Sequence, residues 1–302
     1  MNPFRGTYTA LVTPFRNGEI DWPALERHVE RQIEGGVDGL VPCGTTGESP
    51  TLSFEEHRRI VECVVKRAGG RVPVLAGAGT NSTRKTIELA KATADCGANG
   101  LLIVSPYYNK PSQQGLFEHF AAVAEAVQVP IVLYNIPGRC GVEIALDTIR
   151  RLFATSERIV AVKHATGRVD DAAELLATCE IGVLSGDDPL TLPLMALGAV
   201  GVISVISNLV PRAVKTLTQA ALAGDLAAAR QAHASLFRLA KALLTADTNP
   251  IPIKTALAVR GWCAEEFRLP MCPMEPAKRS RLIALVNEMV VDQTPAQAKD
   301  CG

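Results

Sequence analysis

The sequence predicts an α/β protein, a (β/α)8 TIM barrel followed by a helical C-terminal appendage. Eight short runs rich in β-branched residues alternate with helical stretches over the first three quarters of the 302 residues. Most of the runs are apolar on both faces, as parallel strands are when helices cover one side and a packed barrel interior fills the other. Eight such units within about 225 residues fit a fold whose usual size is about 250. The competing doubly wound sheet lacks its dinucleotide fingerprint, because Gly77-Ala78-Gly79 is followed by Thr80-Asn81-Ser82 with no third glycine.

The predicted strands are residues 8–13, 39–43, 72–77, 101–105, 131–135, 159–163, 181–185 and 201–205. Helix starts are marked by Asp21 before Trp22-Pro23, Ser53 before Phe54-Glu55-Glu56, Ser82 ahead of 85–94, Ser112 before Gln113, and Pro211 in a first turn. At those places a side-chain oxygen can accept from the free N–H groups of the first turn, or proline can stand where no donor is needed. Gly35-Gly36, Gly69-Gly70 and Gly97 supply helix ends. After Gly224 only helical stretches remain, over 225–245, 253–261 and 276–291, with Pro250, Pro252, Pro270, Pro273 and Pro276 at the breaks. The chain therefore divides into a (β/α)8 barrel, 1–224, and a C-terminal helical region, 225–302. Its last ten residues, rich in Gln, Ala, Lys and Asp, are expected to fray.

Composition narrows the function. With 31 Lys+Arg against 31 Asp+Glu there is no basic field to concentrate the protein on nucleic acid or an anionic membrane. No apolar run approaches the roughly 18 residues of a membrane helix, and the first 15 residues do not read as a signal peptide, so the expected location is cytoplasmic. Cys43, Cys63, Cys96, Cys140, Cys179, Cys263, Cys272 and Cys301 show no C-x-x-C spacing and read as reduced and mostly buried. His28, His57, His119, His164 and His233 form no ligand pair, so no metal is expected.

In a barrel the reactive groups sit where strands end and βα loops begin. The second strand runs into Gly44-Thr45-Thr46-Gly47-Glu48, whose exposed N–H groups and hydroxyls suit a carboxylate or phosphate, although the same residues also make a plain tight turn. The fourth and fifth strands end in Ser105-Pro106-Tyr107-Tyr108-Asn109 and Tyr134-Asn135-Ile136-Pro137-Gly138-Arg139, so Tyr108, Tyr134 and a loop threonine can form a hydroxyl chain for proton transfer. Lys163 follows four apolar residues at the end of the sixth strand; pointing into the barrel mouth, it would be a desolvated, nucleophilic amine able to form an imine with a ketone. Lys254, in an apolar stretch outside the barrel, is its rival. Ser185-Gly186-Asp187-Asp188 and Ile203 end the seventh and eighth strands; Gly186 and Ile203 could close the pocket around a methyl, and the two aspartates suit helix capping as well as ligand contact. Strand alternation turns His164 away from Lys163, toward the helices.

Taken together, these motifs resemble the dihydrodipicolinate synthase family, part of the pyruvate-dependent class I aldolase superfamily that also contains N-acetylneuraminate lyase. The resemblance spans nearly the whole chain. It implies a Schiff base between Lys163 and pyruvate, with Thr45, Thr46 and Ile203 around the keto acid and no separate cofactor. It further implies Tyr134 as general acid/base, with Thr45 and Tyr108 completing the relay and Tyr108 entering from a neighbouring subunit of a dimer or a tetrameric dimer of dimers. Arg139 would bind the carboxylate of L-aspartate-4-semialdehyde, a task suited to a guanidinium fork, and sugar-acid lyases usually lack it. The expected product is 4-hydroxy-tetrahydrodipicolinate, on the route to diaminopimelate and lysine.

The chain also departs from the family pattern. His164 replaces the usual glutamate after the nucleophile. Lysine-inhibited relatives carry an effector site that is matched here at Ser49, His57, Asn81 and Tyr107, but Phe54 and Lys85 stand where those relatives have His and Glu. Lys85 would repel a lysine ligand, so feedback is expected to be weak or absent. The alternatives are a lyase or aldolase for another 2-keto-acid adduct, such as N-acetylneuraminate or a hydroxyproline-derived keto acid, and a catalytically silent keto-acid binder.

Overall fold

The computed structural model describes residues 2–290. Eight strands carry the barrel: β1 Gly6–Ala10, β2 Gly39–Val41, β3 Leu75–Gly77, β4 Gly100–Val104, β5 Ile131–Asn135, β6 Ile159–His164, β7 Gly182–Ser185 and β8 Gly201–Ser204. All neighbours are parallel, in the order β2-β1-β8-β7-β6-β5-β4-β3. A parallel bridge between Leu40 and Val74 joins the two ends of that order. The Leu40 N–H donates to Pro73 O at 3.0 Å and the Gly77 N–H to Pro42 O at 2.9 Å, so the sheet closes on itself.

Each strand feeds a helix: α1 Trp22–Glu34, α2 Phe54–Ala68, α3 Thr83–Asp95, α4 Gln113–Ala126, α5 Leu146–Thr155, α6 Val169–Thr178, α7 Thr191–Ala196 and α8 Pro211–Leu222. Three of the predicted caps do what their chemistry requires. Asp21 accepts from the Ala24 N–H, Ser112 accepts from the Gly115 N–H, and Ser53 forms a reciprocal capping box with Glu56. Ser82 stands at the cap position of α3 without a side-chain cap bond.

Alternation along the strands sorts side chains between two layers. Tyr8, Leu75, Leu102, Tyr134, Ala161, Leu184 and Ile203 pack inside the barrel, while Ile103, Leu133, Val162 and Val183 pack outward under the helices. Lys163, two residues after Ala161, therefore belongs to the interior, and His164 to the outer layer.

Some boundaries differ from the expectation. The third strand starts at Leu75 instead of residue 72, because Pro73 has no N–H to give to the ladder. A two-stranded hairpin, Phe15–Arg16 with Glu19–Ile20, was not anticipated. Its turn is Asn17-Gly18, with φ of 54° and 82°, the positive pair that lets a two-residue loop follow strand twist.

Beyond Gly224 lie α9 Leu226–Thr245, α10 Ile251–Val259 and α11 Pro276–Met289. Pro250 and Pro252 flank the start of α10, where no N–H is needed, so the helix begins at Ile251 and not at residue 253. One apolar cluster runs from Val202 of β8 through Val214 and Leu217 of α8 to Leu239 and Leu243 of α9, Leu257 of α10 and Val286 of α11. At about 2 kcal/mol per buried large aliphatic side chain, it fastens the C-terminal helices to the barrel's flank. The expected fraying of the last ten residues, and Cys301, lie outside the described residues. Among those described, no helix is long and apolar enough to cross a membrane, and the seven cysteines are all free; against the expectation of burial, only Cys43 and Cys140 are buried, since most of the others lie on or beside the outer helices and Cys272 is exposed.

Candidate active site

The carboxyl ends of the strands bring the central residues together. Lys163 of β6 is 5% exposed, and its Nζ lies 4.2 Å from the centre of the Tyr134 ring on the adjacent β5. Parallel pairing sets this contact, because Tyr134 and Lys163 are register partners. The ring shields one side of the amine and its hydroxyl is on the same side chain. Among the described residues no hydrogen bond links that hydroxyl to Thr45, which is half-buried on the loop after β2.

Gly186, directly after β7, gives Lys163 room. A Cβ there would stand 2.6 Å from the Ala165 Cβ and 3.2 Å from the Lys163 Cε, so any side chain would press on the lysine stem. Ile203 of β8 is fully buried in the same interior cluster as Tyr134. Asp187 adjoins the site, and burial holds its carboxyl above the usual carboxylate range despite the opposing pull of Lys163 and His164. Asp188 is a cap, although not of its own helix: its carboxylate accepts from Ser204 Oγ at 2.5 Å and from the Val205 N–H at 2.9 Å, tying β7 to the turn after β8. His164 sits in the outer layer as expected, its Nε2 within 2.8 Å of Arg168 O and 2.9 Å of Thr166 Oγ1.

The β2 loop is held from several sides. Glu48 N–H donates to Thr45 O at 3.1 Å, Thr13 Oγ1 donates to Gly47 O at 2.7 Å, and Asn249 Nδ2 donates to Thr46 Oγ1 at 3.1 Å. Asn249 also reaches the second loop, since its carbonyl accepts from an Arg139 Nη2 at 2.9 Å. Arg139 lies on a single helical turn, Pro137–Cys140, placed by Asn135, whose amide exchanges two 3.0 Å hydrogen bonds with the Ile144 backbone. Thr46, Asn249 and Arg139 are thus one connected set, and Asn249 had no place among the sequence candidates.

Lys254 is not available as a nucleophile. Its Nζ donates to Glu48 Oε1 at 2.6 Å, and the two side chains are 0% and 1% exposed. Burial lowers its pKa and the Glu48 carboxylate opposes that shift. The apolar context that made it a rival is real, but the amine faces a carboxylate inside the protein and no open pocket.

Tyr108, in contrast to the buried Tyr134, is 87% exposed, at φ 73°, in a conformation few side chains adopt. Its neighbour Tyr107 is half-buried against the Asn81 backbone. Of the remaining effector-site candidates, His57 is buried, with Nε2 2.7 Å from Gly77 O and a pKa lowered by burial. Ser49 lies on the short 3-10 turn before α2, Phe54 is 54% exposed and Lys85 lies exposed in the first turn of α3. Among the described residues no three His, Cys, Asp or Glu side chains gather as metal ligands.

Comparison with known proteins gives a consistent picture. The profile of the Dihydrodipicolinate synthetase family matches residues 3–289. The chain is 52% identical to a 4-hydroxy-tetrahydrodipicolinate synthase of Pelobacter propionicus over 285 residues, covering 94% of this chain and 98% of that protein. It is 50% identical to the enzyme of that name from Geobacter sulfurreducens, with the same coverage. Among solved structures it superimposes on dihydrodipicolinate synthase from Aquifex aeolicus with a TM-score of 0.93 and 49% identity, over 94% of this chain and 98% of the other.

Proposed function

We propose that this chain, which belongs to the dihydrodipicolinate synthetase family, is a Schiff-base-forming lyase that condenses pyruvate with L-aspartate-4-semialdehyde to 4-hydroxy-tetrahydrodipicolinate, in diaminopimelate and lysine biosynthesis. The observation that carries the mechanism is Lys163, buried at the mouth of the barrel with its amine against the Tyr134 ring. The Lys163 amine attacks the C2 carbonyl of pyruvate and water leaves, giving an iminium. Loss of a C3 proton yields an enamine, whose C3 attacks the aldehyde carbon; the aldehyde oxygen takes up a proton and becomes the 4-hydroxyl. The substrate's amino group then adds to C2, the ring closes and Lys163 departs as the free amine. Covalent attachment to Lys163 makes a separate cofactor unnecessary. Each proton movement needs a group that both donates and accepts, a role we assign to Tyr134. The keto-acid carboxylate falls to Thr45, Thr46 and the N–H groups of their loop, and the pocket around the methyl to Ile203 and Gly186.

Arg139 supports the choice of aldehyde. One Nη2 donor is engaged by Asn249 O, and the exposed guanidinium retains further donors for a carboxylate at the pocket rim. Purified protein is expected to consume pyruvate with L-aspartate-4-semialdehyde and not with N-acetylmannosamine. Arg139→Ala should raise KM for the semialdehyde by about 10- to 100-fold, the weight of one charge-assisted pair. Turnover of the sugar would move the protein to the N-acetylneuraminate lyase branch, and no turnover with a retained keto-acid adduct would point to a binder.

The exposed Tyr108 supports a homo-oligomer, a dimer or a dimer of dimers, in which this residue completes the partner's site. Seven free cysteines and the absence of a spanning helix among the described residues support a cytoplasmic setting. Feedback by L-lysine is expected to be weak or absent, since Lys85 is a like charge at the matched effector positions and Phe54 offers no polar group to a ligand. Inhibition at low lysine concentration in a steady-state titration overturns that expectation.

A further inference from the structure

The Lys254–Glu48 pair is the most deeply buried ion pair among the described residues, and nothing in the reaction above uses it. Exchanging such a pair for neutral groups of similar volume is often neutral or favourable for stability, so burial alone gives no reason to have it. Its surroundings suggest one. The Lys254 ammonium lies 4.3 Å from the Phe15 ring centre and 5.0 Å from that of Phe267, which fix it from two sides. The second Glu48 oxygen accepts from the Arg268 N–H at 3.2 Å. Glu48 itself sits at φ 54°, a left-handed conformation that a side chain other than glycine adopts only when its neighbours hold it there.

That strained residue ends the Gly44-Thr45-Thr46-Gly47-Glu48 loop. Because α10 carries Lys254 and starts just after Asn249, it grips the loop twice, at Glu48 through Lys254 and at Thr46 through Asn249. We propose that the buried Glu48–Lys254 pair is a positioning device for keto-acid recognition, holding the left-handed turn that aims the Thr45 and Thr46 hydroxyls and the loop N–H groups at the pyruvate carboxylate. This rests on assigning that loop to pyruvate. Glu48 and Lys254 are positioning residues, not catalytic ones, because their charged groups are paired with each other inside the protein.

A positioning role and a merely structural one part company in the kinetics. The double variant Glu48→Gln/Lys254→Met removes both charges and leaves neither partner buried alone, which favours a folded protein. Its KM for pyruvate should rise about tenfold or more, the scale of a misplaced binding group, while kcat at saturating pyruvate falls far less. The pyruvate dependence of the borohydride-trapped Lys163 adduct, read by mass spectrometry, should shift by the same factor, with a thermal melt confirming the fold. A folded double variant with wild-type half-saturation by pyruvate overturns the proposal. If the double variant does not fold, Glu48→Asp decides: it keeps both charges and shortens the arm by one methylene, and an unshifted half-saturation is again the overturning result. Failure of the wild-type protein to trap pyruvate at all would instead refute the assignment of Lys163, so the two failures are distinguishable.

Discussion

Lys163→Ala is expected to eliminate the borohydride-trapped pyruvate adduct and to lower condensation turnover by about 10⁴-fold or more, the loss seen when a covalent nucleophile is removed from a unit that works together. The expectation comes from geometry. Lys163 is the lysine whose amine stands inside the barrel mouth, with the Tyr134 ring 4.2 Å from Nζ and Gly186 leaving its stem unobstructed. The other deeply buried lysine, Lys254, is spent on Glu48 and packed between two rings, so it cannot take over. The alanine variant should fold, because it removes an amine that has no carboxylate hydrogen-bonded to it and shortens a side chain at the open end of the barrel. Intact-mass analysis after borohydride reduction with pyruvate checks the adduct, and a thermal melt checks the fold. An adduct that survives in Lys163→Ala would place the Schiff base elsewhere and remove the central element of the mechanism.

The barrel was legible because it rests on two strong regularities, β-branched runs buried on both faces and cap residues at helix starts. The same period-two alternation that packs Ala161 inside and Val162 outside is what places Lys163 within and His164 without. What stayed hidden depended on contacts distant in sequence. Lys254 and Glu48 are 206 positions apart, so an amine in an apolar stretch read as a reactive group when its carboxylate partner could not be seen. Asn249 escaped notice for the same reason, joining Thr46 to Arg139 across three separate loops. For Asp188 the sequence left helix capping and ligand contact open; its carboxylate instead holds the turn after β8, which only closure of the barrel brings beside β7. The Asn17-Gly18 hairpin is a different kind of miss: the turn signal was present, and strands of two residues each were too short for periodicity to register.

Two individually inactive variants should restore activity when mixed. Tyr108→Phe removes the hydroxyl that completes the proposed relay, and Lys163→Ala removes the nucleophile, so each homo-oligomer alone is expected to fall by about 10²-fold or more for the first and further for the second. Tyr108 is 87% exposed and held at φ 73°, while Tyr134 is 5% exposed, and among the described residues no hydrogen bond joins the two hydroxyls within one chain. The proposed relay places the Tyr108 hydroxyl in the partner's site, across an interface. In a mixed dimer, the chain with Tyr108→Phe keeps Lys163 and receives an intact Tyr108 from its partner, which makes one complete site; the other site has neither Lys163 nor the partner hydroxyl. An isologous dimer formed by random re-association gives half mixed dimers with one good site each, hence about one quarter of wild-type activity. The measurement is turnover after co-refolding or subunit exchange at equal ratios, against each variant treated alone. Recovery toward a quarter requires Tyr108 to act in the neighbour's site. No recovery, with mixed oligomers demonstrated by native mass spectrometry, would mean that any role of Tyr108 is confined to its own chain and that its exposure needs another explanation.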